Sequence, residues 1–190
     1  MSSEKESIRK KYKQKRKSLS VEEVNRLSEA ILLQFKKWLV LKPEINHFHI
    51  FLPIARQNEV NTLLIRDFLF EQGKSVYTSF VRHEQLTMDT VKVYPETKYQ
   101  IDSLGIPTPI ESEVVSTKDL QLVLVPLLAF DLNGDRIGFG KGYYDKFLSV
   151  LDPEVVKMGL SFFPPLTKIP SELHDIPLDY CITGEKVFTF

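Results

Sequence analysis

Cysteine is almost missing from this chain. Cys181 is the only one in 190 residues, so no intrachain disulfide can form and a reducing compartment is expected. Net charge is missing as well. Lys and Arg total 25 and so do Asp and Glu, which argues against a general nucleic-acid binder and leaves any polyanion site to local asymmetry. No apolar run approaches membrane-spanning length, and the charged N-terminus lacks the apolar core of a signal peptide. A soluble, cytoplasmic protein without a membrane partner is expected. There is no internal repeat and no low-complexity linker, so one domain over residues 1–190 fits, large enough to bury a substantial core.

The features that are present gather in one stretch, Pro126 to Asp145. An apolar run, Leu120 to Phe130, is interrupted mainly by Gln121 and Pro126 and reads as a buried strand. Asp131, Asn133, Gly134 and Asp135 read as a turn. Gly138, Gly140 and Gly142 then occupy alternate positions, and a helix is predicted from Lys141 to Leu151. Strand, turn, glycine loop and helix start together suit an anion, because glycines admit close approach to backbone N–H groups and a helix start leaves donors free. Neither standard phosphate signature fits. Asp135 and Gly142 stand where a Walker A loop needs Gly and Ser or Thr, and G-x-G-x-G is not the dinucleotide G-x-G-x-x-G. The glycines alone favour a plain connector. The density of Arg136, Lys141, Tyr143, Tyr144 and Asp145 tips the balance towards a ligand.

Elsewhere the pattern is that of an α/β chain. Residues 4–17 predict a basic helix carrying Arg9, Lys10, Lys11, Lys13, Lys15, Arg16 and Lys17, with Ile8 and Tyr12 able to pin one face. Taken alone, that run reads as a solvated face or a nucleic-acid tail. Ser20-Val-Glu-Glu23 is a capping box opening a helix to about Leu39, whose stripe of Val24, Leu27, Ile31, Phe35 and Trp38 is core. Strands are predicted at 47–54, 74–80, 86–93, 157–163 and around 180–183, with a helix over 63–72 completing a βαβ unit and an extended loop over 101–110. His47 and His49 share a strand face with no other His or Cys near them in sequence, so packing is preferred to a metal. Glu59 reads as an acid at a helix start and Asp179 as a strand-start carboxylate bonding local N–H groups. His174-Asp175 fits either a catalytic pair or a hydrogen-bonded turn. The whole predicts a three-layer α/β/α domain with a mixed, largely parallel sheet and a ligand site beyond the carboxyl ends of its strands.

Arg136-Ile-Gly-Phe-Gly-Lys-Gly-Tyr-Tyr-Asp145, preceded by Pro126 and by Ala129-Phe-Asp131, resembles the hallmark of the 5-formyltetrahydrofolate cyclo-ligases, also called 5,10-methenyltetrahydrofolate synthetases. The resemblance runs from the basic N-terminal helix to Asp179. It implies an ATP- and Mg²⁺-dependent enzyme that cyclises 5-formyltetrahydrofolate. It further implies that ATP meets Lys5 and Arg9 together with Arg136, Ile137, Gly138, Phe139, Gly140, Lys141, Gly142, Tyr143, Tyr144 and Asp145. Lys141, Arg136 and Tyr144 would serve the chemistry, Glu59 of Glu59-Val-Asn-Thr62 and Tyr144 the folate, and Asp145 and Asp179 the Mg²⁺. Thr108 stands between two prolines where the family usually has an acidic residue. Small-molecule substrates, no nucleic acid and a monomer are expected. Two other classes remain open: a nucleic-acid-binding module using the basic helix, and a folate- or nucleotide-binding protein without turnover, against which the intact Lys141 and Asp145 speak.

Overall fold

The computed structural model describes residues 3–82, 84–102 and 105–190. Helix α1 (Ser3–Lys17) places Glu4 and Glu6 in its first turn and Lys15, Arg16 and Lys17 in its last, matching its dipole. Helix α2 (Val21–Val40) opens on the expected capping box. The Glu23 N–H donates to Ser20 Oγ at 3.2 Å and the Ser20 N–H to Glu23 Oε2 at 2.7 Å; a cap of this kind contributes about 1 kcal/mol. Strand β1 (His47–His49), helix α3 (Leu63–Glu71) and strand β2 (Ser75–Arg82) form the parallel βαβ unit, and β3 (Thr87–Val93) returns antiparallel. Strands β4 (Tyr99–Ile101) and β5 (Pro107–Pro109) pair as a separate ribbon. Then follow β6 (Leu122–Pro126), the hairpin of β7 (Ala129–Phe130) and β8 (Arg136–Ile137), α4 (Tyr143–Leu148), β9 (Val156–Leu160), β10 (Tyr180–Ile182) and β11 (Val187–Thr189).

The main sheet runs β11-β10-β9-β6-β1-β2-β3. Its inner strands, β10 to β2, are parallel and its two edge strands antiparallel. On β6, Leu122 and Leu124 face the core shared with α2 and α3, where Ile31, Phe35, Phe48, Ile65 and Met158 are buried. Val123 and Val125 face the opposite way, onto Phe147 and Leu148 of α4 and Phe130 of the hairpin. A strand buried on both sides needs apolar residues at successive positions, which is why Leu122 to Val125 do not alternate with polar ones. Helix α1 closes a third cluster, with Tyr12 against Leu128, Ala129, Ile137 and Ile169. The expected α/β class, with helices on both faces of a largely parallel sheet, is what the chain adopts.

Several boundaries differ from expectation. The run 120–131 is not one strand. Pro126 has no N–H to continue the ladder, β6 ends there, and the chain turns into the β7–β8 hairpin, so it is β8 that delivers the glycine loop. The turn of that hairpin is held by buried Asp131, whose Oδ1 accepts from the N–H groups of Asn133 and Asp135 and whose Oδ2 accepts from Ile169 N–H. Strand β1 stops at His49 rather than Ile54, because the chain veers into a 3₁₀ turn at Ala55–Gln57. The helix expected over 141–151 occupies only 143–148 and has little macrodipole to offer. The loop expected over 101–110 supplies both strands of the β4–β5 ribbon, and β11 was not foreseen.

Strand order reverses direction between β1 and β6, since β2 and β3 lie beyond β1 while β9 to β11 lie beyond β6. A crevice beyond the carboxyl ends of β1 and β6 is the consequence.

Candidate active site

That crevice is a cavity of about 940 Å³. Phe51 and Leu52 line it just past β1, Pro126 at the end of β6 and Leu128 just past it, and Thr78 and Ser79 from β2. Residues 136–145 line it in an unbroken run, and Lys5, Arg9 and Glu59 join them from elsewhere in the chain. The structure thus brings together every residue expected to meet ATP or the folate.

The loop owes its shape to its glycines and to α1. Gly140 has φ +92°, and a Cβ there would lie 3.2 Å from the Arg9 guanidinium, so glycine is needed for both conformation and space. Arg9 Nε donates to Gly138 O at 3.0 Å, while Lys13 and Arg16 lie over the Phe139 ring. Gly142, at φ +73°, is the N-cap of α4. Lys141 is exposed on the lip and forms no ion pair among the described residues. Helix α1 therefore does more than present a basic surface. Its buried residues are Lys5, Arg9, Tyr12 and Arg16, an inward face made mostly of cations.

Two carboxylates meet beside the loop. Arg136 Nη2 donates to Asp145 Oδ1 at 2.7 Å, and Arg136 Nη1 donates to Ile176 O. Ile176 N–H approaches Asp145 Oδ1 at 3.5 Å, which puts the 172–176 turn against α4. Lys5 Nζ donates to Asp175 Oδ2 at 2.5 Å, and Asp175 lines the cavity. Burial acts to raise the Asp175 carboxyl, but Lys5 and the Glu172 N–H outweigh it and hold its pKa below the ordinary carboxylate value. His174 is no catalytic partner for it: the imidazole is 72% exposed and the two residues form a hydrogen-bonded turn in which Glu172 N–H donates to Asp175 Oδ2. Asp179 is not brought to this site. It precedes β10 at the amino end of the sheet, accepting from Lys157 N–H at 2.7 Å and pairing with Lys157 Nζ at 3.0 Å. The strand-start reading describes Asp179, and the second acid of the cavity is Asp175. Three residues separate the two in sequence, and only the path of the 172–179 segment distinguishes them.

The opposite wall carries Glu59, 5% exposed, whose Oε2 accepts from Ile54 N–H at 2.8 Å. Burial raises its pKa, while Arg16 and the Ile54 N–H act to lower it. Arg16 is as deeply buried as Glu59, and sequence reasoning grouped it with the solvated basic run. The signal was in its spacing: Lys5, Arg9, Tyr12 and Arg16 recur every four or three residues, on one helix face. Tyr144 reaches the cavity from α4; burial pushes its phenol up, so it stays protonated and can donate but not act as a base. The histidines pack, as expected. His49 Nε2 lies 3.1 Å from Ser79 Oγ, with its ring against Phe147, and His47 Nδ1 lies 3.0 Å from Tyr77 OH. Among the described residues no three His, Cys, Asp or Glu side chains form a metal cluster.

A switch-point crevice edged by a glycine-rich loop and buried cations defines an α/β protein with a ligand site of the anion-binding kind. The family follows from comparison. Residues 1–184 match the model of the 5-formyltetrahydrofolate cyclo-ligase family, and the chain belongs to that family of folate one-carbon ligases. It is similar to the 5-formyltetrahydrofolate cyclo-ligase of Mus musculus, 32% identical over 94% of this chain and 93% of the mouse protein. The NMR structure of Aquifex aeolicus 5,10-methenyltetrahydrofolate synthetase superposes with a TM-score of 0.82 at 32% identity, covering 97% of this chain and 92% of the other. The 5,10-methenyltetrahydrofolate synthetase of Mycoplasma pneumoniae does so with 0.77 at 25% identity, covering 95% and 98%.

Proposed function

We propose that this protein converts 5-formyltetrahydrofolate to 5,10-methenyltetrahydrofolate at the expense of ATP, releasing ADP and phosphate. The observation that carries the proposal is the unbroken lining of the cavity by residues 136–145 opposite Glu59, with α1 closing the side. Transfer of the γ-phosphoryl group to the formyl oxygen converts a poor leaving group into a phosphate ester of an iminium. N10 then attacks the formyl carbon, the C–O bond breaks with departure of phosphate, and N10 gives up its proton. No covalent nucleophile is required of the protein, only alignment and neutralisation of developing charge.

Roles follow from position. Lys141, Arg136 and the N–H groups of residues 137–145 hold the phosphates, joined by Lys5 and Arg9 from α1. Glu59 and Tyr144 orient the folate. Mg²⁺ fits the acids present: it takes one or two protein carboxylates plus phosphate oxygens and water, and Asp145 and Asp175 offer that number, without the all-protein cage a tighter site would need. When bound it neutralises phosphate charge that those carboxylates would otherwise repel. The test is purified protein with 5-formyltetrahydrofolate, read by the absorbance of the methenyl product. Product is expected only with ATP and Mg²⁺ both present. Turnover without nucleotide overturns the mechanism, and salt-sensitive nucleic-acid binding without any turnover favours the basic-helix alternative.

A further inference from the structure

Arg16 and Glu59 are buried side by side without being hydrogen-bonded to each other. Arg16 Nη1 lies 3.8 Å from Glu59 Oε1, with side chains 6% and 4% exposed. That distance is beyond a hydrogen bond. Arg16 Nη2 donates to Leu127 O, but Nη1 has no hydrogen-bond partner. Glu59 Oε2 is engaged by Ile54 N–H, while Oε1 is the oxygen that approaches Arg16 Nη1. Both residues line the cavity. A buried guanidinium N–H left without an acceptor is costly, and a molecule entering the cavity is the available source of one.

We propose that Arg16 Nη1 and Glu59 Oε1 form a paired donor and acceptor that reads the lactam edge of the substrate's pterin ring. Resting on the folate reading above, the assignment gives Arg16 the 4-oxo oxygen and Glu59 the adjacent ring N–H or 2-amino group. A carbonyl next to an N–H is the complement of a donor next to an acceptor. A charged group strengthens its bond to the ring, and the charge of each partner favours the ionised form of the other, against the burial that opposes it. Arg16 is thereby a specificity-determining residue. It selects an oxo group at ring position 4, because an amino group there turns a donor towards a donor.

Equilibrium binding without ATP tests this, using 5-formyltetrahydrofolate and its 4-amino-4-deoxy counterpart as paired ligands. Wild type is expected to hold the 4-oxo ligand more tightly. Arg16→Met is expected to weaken 4-oxo binding roughly tenfold to hundredfold and to change 4-amino binding by less than about threefold, collapsing the ratio. Arg16→Lys, which keeps a cation for Leu127 O, serves if Arg16→Met fails to fold, and the same collapse is expected. Equal weakening of both ligands means that Arg16 only supports the fold and overturns the proposal. So does a wild type that holds the two ligands equally. A wild type that binds neither overturns the folate reading and the proposal with it, whereas binding with an unchanged ratio in the variants overturns the proposal alone.

Discussion

The two ends of the same parallel strands use the same kinds of side chain to opposite purposes. At the amino end, Gln121 Oε1 accepts from the N–H groups of Asn46 and His47, Lys74 Nζ donates to Pro43 O and Asn46 Oδ1, and Asp179 takes Lys157 N–H. These groups tie off strand starts and are satisfied locally. At the carboxyl end, Arg9, Arg16, Arg136, Glu59, Asp145 and Asp175 surround a cavity, and Arg16 keeps a donor unfilled. Residue type does not mark the site. Which end of a strand a residue occupies does.

The sharpest way to break this comparison is to neutralise an aspartate at each end. Asp145→Asn and Asp175→Asn are expected to lower kcat on the order of a hundredfold, with little recovery in excess Mg²⁺. Asp179→Asn should stay within about twofold of wild type, because it loses only a half-exposed contact. Steady-state kinetics against Mg²⁺ decide it: a crippled Asp179→Asn beside a healthy Asp175→Asn reverses the assignment.

Next come the buried cations of α1. Lys5→Ala and Arg9→Ala are each expected to raise the ATP KM by roughly tenfold, the worth of one charge-assisted contact, and to leave the folate KM nearly unchanged. Equal rises in both constants would show that α1 merely props the cavity.

Glycine offers a subtler contrast. Gly73, before β2, and Gly140 both have positive φ, but a Cβ at Gly73 meets nothing within 4 Å while one at Gly140 meets Arg9. Either substitution by Ala should cost about 1–2 kcal/mol from the left-handed conformation. Only Gly140→Ala is expected also to weaken ATP. Chemical denaturation paired with nucleotide binding separates the two effects.

The smallest effect concerns His49, which joins the cavity wall only through Ser79. Burial pushes its pKa down from 6.5 to about 3. The unfolded chain therefore binds a proton that the folded one refuses, and stability falls as pH drops through this window. About 1 kcal/mol should go over the first pH unit below 6.5. His49→Gln removes this contribution, so its stability-versus-pH curve should be flatter than wild type between those limits. Parallel curves would mean that the imidazole protonates in place.

Much of this was legible in the residues. Hydrophobic periodicity located α2, α3 and the main strands, and the density of functional groups at 136–145 marked the loop before any fold was known. What stayed hidden depended on distant contacts. The missing N–H of Pro126 marks a strand end, but no local rule shows that the chain then opens a hairpin, since that depends on Phe130 finding the α4 face. Asp175 and Asp179 cannot be told apart without knowing that Ile176 docks on Arg136 and Asp145. Arg16 looked like one more surface cation because its partners, Leu127 and Glu59, lie far along the chain.

That last circumstance bears on how the protein is made. Helix α1 comes long before its partners in the chain: Arg9 waits for Gly138, 129 positions on, and Lys5 for Asp175, 170 positions on. Closing such separations is entropically demanding and slow, and until it happens Arg9 has only Glu6 of its own helix, while Arg16 has neither Leu127 O nor Glu59 beside it. A chain that stops between residues 161 and 174 would thus hold β1 to β9 and the whole glycine loop, yet lack both the Asp175 partner of Lys5 and the last two strands, β10 and β11.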